Sequence, residues 1–214
     1  MPSPKPHESA GAPSARQRIL LTAHDLFYRD GVRATGIDRI IAESGVAKLT
    51  FYRHFPAKNE LILAFLEYRH ELWMSWFVDA LGRHGASEGA GFTPLLKTIE
   101  EWLYNPLFRG CAFINAVAEL GGTQPEVLRI SQRHKQEMQE VISGLLTGSH
   151  AAAKGAAAAL AVDGAIVCAQ MAGPAAGKAS ENAQKKSALD GLRQVLMALE
   201  RASEKTGRPA RQLE

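Results

Sequence analysis

With 214 residues, 46% of them hydrophobic, the chain can bury a real core in one or two domains. Its two cysteines, Cys111 and Cys168, have neither metal-ligand spacing nor a disulfide framework, which points to a reduced cytoplasm. The formal net charge is only +3, but residues 14–58 hold eight basic against four acidic side chains, so a basic N-terminal quarter sits on a near-neutral body. That asymmetry suits a nucleic-acid partner better than uniform basicity would.

Nothing in the chain reads as strand. Residues 1–13 are rich in Pro, Ser, Gly and Ala without an apolar run, which predicts a disordered arm and not a signal peptide. Ser14 is a suitable N-cap, and Ile19, Leu20, Ala23, Leu26 and Phe27 recur at helical spacing until Gly31 stops the helix. Thr35 or Gly36 caps the next helix, with Asp38 placed where a capping-box acid bonds back to Thr35. Ile37, Ile40 and Ile41 form its apolar face, and Ser44-Gly45 ends it after about two turns.

A third short helix is expected from Ala47 to His54, closed by Pro56, and a long fourth one from Ala57 to Leu81. After the polar loop 82–91, Thr93 is expected to cap, with Pro94 at the first helical position, a helix to Tyr104, which Asn105-Pro106 breaks. A helix over 111–120 ends at Gly121-Gly122, and Thr123-Gln-Pro-Glu126 reads as a capping box for one reaching Leu146. Helices over 150–172 and 182–204 follow, then a polar tail over 205–214. The most apolar stretch, Gly155–Gly173, is Ala-rich and interrupted by Asp163, which predicts a buried helix and no membrane span. The expected architecture is all-α: a three-helix helix-turn-helix domain over 14–58 and a six-helix body over 59–204.

The helix from Ala47 carries the functional signal. A seven-residue helix cannot hold itself and needs a core behind it. With successive residues about 100° apart, Val46, Phe51 and Phe55 share one side with Ile40 and Ile41 behind them, and Lys48, Leu49, Tyr52 and Arg53 point away. A second helix presenting such side chains after a tight turn fits a major groove. Arg53 can pair bidentately with guanine and Leu49 can touch a thymine methyl. Thr50, Tyr52, His54 and Lys58 suit phosphate oxygens, which set register.

Residues Thr35 through Lys58, above all Gly45-Val46-Ala47-Lys48-Leu49-Thr50-Phe51-Tyr52-Arg53-His54-Phe55-Pro56-Ala57-Lys58, closely resemble the N-terminal domain of tetracycline-repressor-type (TetR family) regulators. The resemblance covers about residues 14–62. It implies a dimer on a double-stranded inverted-repeat operator, phosphate contacts from Thr50, Tyr52, His54 and Lys58, and groove-facing roles for Lys48, Leu49 and Arg53. Family members often carry Ser or Thr where this chain has Gly36, so Thr35 or a backbone N–H must serve there.

The resemblance also implies a small-molecule effector among the middle helices, for which Trp73, Phe77, Trp102, Phe113, Asn115 and Glu119 are the candidates. In the last two helices, Ala157, Leu160, Ala161, Gly164, Ala165 and Cys168 form a small-residue face, and Leu189, Leu192, Val195, Leu196 and Leu199 an apolar one. Two such helices from each subunit make an intermolecular four-helix bundle, the expected homodimer contact. The alternative is a body that answers to a protein partner or has no small-molecule effector.

An enzyme is not expected. His134 and Glu137 stand at HxxE spacing without a third local ligand and read as a solvated face beside Arg133, Lys135 and Glu140. No nucleophilic triad, phosphate loop or paired-carboxylate motif stands out, and no cofactor or metal is called for.

Overall fold

The computed structural model describes residues 12–171 and 177–202, so the expected arm before residue 12 and the tail after 204 lie outside it. Among the described residues there are nine helices and no strand. They are α1 (Ala15–Asp30), α2 (Ile37–Ser44), α3 (Lys48–His54), α4 (Lys58–Arg83), α5 (Thr93–Leu103), α6 (Ala112–Leu120), α7 (Pro125–Ser143), α8 (Ala151–Gln170) and α9 (Gly177–Arg201). The chain divides, within α4 and again within α7, into two compact units: Met1–Trp76 with Arg109–His134, and Phe77–Phe108 with Lys135–Glu214.

In the first unit α1 packs on both α2 and α3. Ser14 caps α1, its hydroxyl accepting from the Gln17 N–H while the Gln17 side chain accepts from the Ser14 N–H. Ile19, Ala23, Leu26 and Phe27 are buried, and Phe27 meets Phe65 of α4 edge-on with centroids 5.4 Å apart. In the second unit α8 packs mainly on α9, and α5 touches both. Gly155 lets α8 approach closely, since a Cβ there would lie 2.0 Å from Ser143 Oγ.

The expected Thr35-or-Gly36 cap of α2 resolves to Gly36, and the Thr35 alternative and the Thr123 capping box fail for one shared reason. Thr35 is fully buried, and its hydroxyl donates to the Gly31 carbonyl at 2.8 Å. Gly36 is the actual N-cap of α2, with no side-chain bond. Likewise, the Thr123 hydroxyl donates to the Leu120 carbonyl at 3.2 Å, behind it. A hydroxyl can donate as well as accept, and the orphan carbonyls ending the preceding helix compete for it with the orphan N–H groups ahead.

Other boundaries move by smaller steps. Helix α5 begins at Thr93, so Phe92, and not the expected Thr93, holds the cap position, without a side-chain cap bond. The Phe92 N–H donates to the Glu200 carboxylate at 2.6 Å. Helix α9 begins at Gly177, five residues before the expected Asn182. Its opening residues are too polar to show periodicity, and a Lys185–Glu181 pair at 2.5 Å supports the first turns. Helix α8 is long and apolar enough to cross a membrane by composition, yet only one face of it is buried within the chain: Gly155, Ala158, Ala159, Val162, Ala165, Ile166 and Ala169.

Candidate nucleic-acid interface

Helix α2 ends where Gly45 takes the left-handed conformation (φ 63°, ψ 34°), a turn that costs glycine least. Two residues later Ala47 opens α3 in an extended conformation. Phe51 is fully buried, and Phe55 and Ile40 are buried beside it, while Ile37, Ile41 and Val46 are half-buried. Phe51 meets Phe55 at 6.4 Å, and Arg16 of α1 lies 5.1 Å over the Phe55 ring. These anchors orient a helix too short to persist alone.

The opposite side is the one expected to face a groove. Lys48, Leu49, Tyr52 and Arg53 are all exposed, Leu49 to 74%. A leucine that bare, one residue before the half-buried Thr50, contributes nothing to the fold. Among the described residues Lys48 makes only a loose 3.5 Å pair with Asp38. Arg53 makes no ion pair among the described residues, leaving its planar fork available. His54 is half-buried and Gly36 exposed. A Cβ on Gly36 would meet nothing within 4 Å, and its φ of −81° suits any residue, so neither space nor backbone demands a glycine.

The turn between α1 and α2 is tied down electrostatically. Asp30, closing α1, bonds Arg29 and also Arg39 of α2 at 2.9 Å each, and Arg39 holds Glu43 at 2.8 Å. Hydrogen bonding from Arg29, then its charge and Arg39, holds the exposed Asp30 carboxyl below the usual carboxylate range.

Two residues assigned elsewhere by sequence converge on this turn. Glu119 of α6, expected in an effector pocket, instead accepts from the backbone N–H of Val32 (3.3 Å) and of Arg33 (2.7 Å). Lys58, expected on phosphate, donates to the Val32 carbonyl at 2.7 Å. Burial lowers the Lys58 ammonium from its ordinary value, and the Glu119 charge opposes that shift. Thr35, also expected at DNA, is inside the protein.

The remaining effector candidates are divided between the two units. Trp73, Phe113 and Asn115 belong to the first compact unit, and Phe77 and Trp102 to the second. Trp73 and Phe113 are buried and both meet His134, at 5.0 Å edge-on and 3.7 Å stacked. Asn115 is half-buried and donates to the Arg109 carbonyl at 3.2 Å. Phe77 is fully buried, and Trp102 meets Phe108 at 5.5 Å.

His134 corrects the solvated-face reading: it is 1% exposed, and its Nδ1 lies 3.2 Å from Nδ1 of the buried His70. The missed signal is periodicity. Val127, Ile130, Ser131, Met138 and Ile142 are buried with it on one face of α7, so His134 continues an apolar stripe between charged neighbours. Arg69 was missed as well. It is 3% exposed, with its guanidinium 3.9 Å over Tyr28 and 3.4 Å from His24.

Comparison with known proteins agrees with this geometry. The pattern of "Bacterial regulatory proteins, tetR family" matches residues 19–65. An HTH-type transcriptional regulator in the lacX 3′ region of Lactococcus lactis subsp. lactis is 24% identical over 135 residues, covering 61% of this chain and 67% of that one. The HTH-type transcriptional activator FasR of Mycolicibacterium smegmatis is 42% identical over 55 residues, covering 26% of this chain and only 25% of its own length.

Among solved structures, SCO4454, a TetR-family transcriptional regulator from Streptomyces coelicolor, is 32% identical with a TM-score of 0.72, covering 86% of this chain and 95% of its own. The reduced form of NemR from E. coli shares the fold at 15% identity and TM-score 0.68, covering 86% and 97%. With a helix-turn-helix of this build and a likeness to SCO4454 over nearly its whole length, the chain belongs to the TetR family of DNA-binding transcriptional regulators.

Proposed function

We propose that this regulator is a cytoplasmic homodimer that binds an inverted-repeat operator, acts as a repressor, and is released by a small molecule. The functional division would be a DNA-reading part over 14–58 and an effector and dimerisation body over 59–204. The observation that carries the DNA half is the exposed row Lys48, Leu49, Tyr52 and Arg53 on a helix whose other side is anchored by Phe51. Arg53 and Leu49 would read bases, and Thr50, Tyr52 and His54 would set register on phosphates.

Support for the dimer comes from the outer faces of α8 and α9. On α8, Leu160 is 74% exposed and shares a stripe with the exposed Gly164 and Cys168. On α9, Gly191, Val195 and Ala198 are exposed, while Leu189, Leu192 and Leu196 are buried within the chain. Apolar and small residues outward on two neighbouring helices match a four-helix contact between copies. Two recognition helices must sit about 34–36 Å apart to enter successive major grooves. An effector preferring another spacing weakens DNA binding by its differential affinity, typically about 1–3 kcal/mol.

The test is selection from a random-sequence duplex library with the purified protein. Recovery of a palindrome, bound as a dimer and degenerate at one base pair per half-site in Arg53→Ala, supports the reading. Equal affinity for palindromic and random duplexes at every salt concentration would refute it.

A further inference from the structure

The peptide groups flanking Val32 are gripped from two sides by opposite charges. Glu119 of α6 takes the N–H of Val32 at 3.3 Å and that of Arg33 at 2.7 Å, while Lys58, opening α4, gives a 2.7 Å bond to the carbonyl of Val32. The segment held this way leads from α1 into the recognition pair. Val32 itself is buried, so the clasp fixes backbone and not only side chains. Gly31 completes the fit: its φ of +89° favours glycine, and a Cβ there would stand 3.2 Å from the Glu119 carboxylate.

We infer that Lys58 and Glu119 are positioning residues of the DNA-binding function, a charged clasp that sets the entry into α2, and that Lys58 does not spend its charge on phosphate. A carboxylate taking two adjacent backbone N–H groups and an ammonium on the next carbonyl are charge-assisted bonds, about twice as strong as neutral ones. A lysine so engaged has to surrender its bond and leave a carbonyl unsatisfied before it can reach DNA. The clasp also joins α6, through Glu119, to the turn that precedes the reading helix.

Salt separates the two roles of Lys58. Each phosphate neutralised by a cation steepens the dependence of log affinity on log salt by about 0.9. A positioning residue changes affinity and leaves that slope alone. The experiment measures binding of the full chain to its selected palindrome from low to high salt for wild type, Lys58→Met, Glu119→Gln and the double variant. Amide exchange at Val32 and Arg33 is followed alongside. The DNA arm rests on the palindromic-operator reading above, with wild-type binding as its control; the exchange arm stands without it.

Each single variant should bind about tenfold more weakly at every salt concentration, consistent with the loss of one charge-assisted bond. The slope should be unchanged, and the double variant should be no weaker than either single. The Val32 and Arg33 amides should be protected in wild type and exchange faster in Glu119→Gln. A slope reduced by about 0.9 per protomer in Lys58→Met would make Lys58 a phosphate ligand and overturn the inference. Multiplying losses in the double variant, or unprotected amides in wild type, would overturn it equally.

Discussion

Replacing Gly164 by arginine should separate folding from assembly. Gly164 lies on the outward stripe of α8, and a Cβ built there meets nothing within 4 Å. Within one chain the substitution costs nothing sterically, and it removes a mid-helix glycine, a gain of about 0.8 kcal/mol from helix propensity. In a dimer packed across that stripe the change has the opposite sign. A guanidinium facing the same residue of its two-fold mate would be buried without a partner, with a penalty of several kcal/mol per charge. An interface centred on the exposed Leu160 and Gly164 would not absorb that loss. Analytical ultracentrifugation at micromolar concentration should find wild type dimeric and the variant monomeric, with an unaltered far-ultraviolet helix signal. Operator affinity should fall by about 10²–10⁴, since the second half-site is no longer bound intramolecularly. Gly164→Ala should remain dimeric and melt no lower than wild type. If Gly164→Arg stays dimeric with full affinity, copies of the chain meet elsewhere and the argument from the α8 stripe fails.

Arg53→Ala should lose about 1–3 kcal/mol of discrimination at one base pair per half-site, while binding to random duplex changes little; competition with single-base operator variants measures this. Gly36→Ser should supply the missing hydroxyl cap on α2 and add a few tenths of a kcal/mol, seen as a small rise in melting temperature. His134→Ala removes a ring stacked on Phe113 at 3.7 Å and a partner of His70, so chemical denaturation should show a loss of about 2–4 kcal/mol. A solvated His134 would lose almost nothing. The Asp30 carboxyl is depressed by Arg29 and Arg39, so its tie contributes above the unfolded value of 3.8 and disappears as pH falls through the lower native value. The melting difference between wild type and Asp30→Asn should therefore be constant from pH 5 to 8 and vanish in acid.

Most helices were legible because helical periodicity and glycine or proline stops act locally. Ser14, Gly31, Gly45 and the alternation of Phe51 and Phe55 with exposed neighbours needed no knowledge of distant residues. What was left open or misread has a different character. Thr35 and Thr123 each had orphan N–H groups ahead and orphan carbonyls behind, and a hydroxyl serves either. His134 looked solvated because Arg133 and Lys135 flank it, although they leave on other sides of the helix, Arg133 to Glu67 and Lys135 to Asp163.

Sequence alone determined that this chain is all-helical and carries a short reading helix with Lys48, Leu49, Tyr52 and Arg53 outward, because those properties follow from spacings of three and four residues. Only the tertiary structure decided what Glu119 and Lys58 do. Their shared partner is a backbone turn 87 and 26 residues away from them, and a peptide N–H or carbonyl leaves no mark on the amino-acid code. A charged side chain advertises its charge in the sequence; which main-chain group satisfies it is settled only when the helices pack.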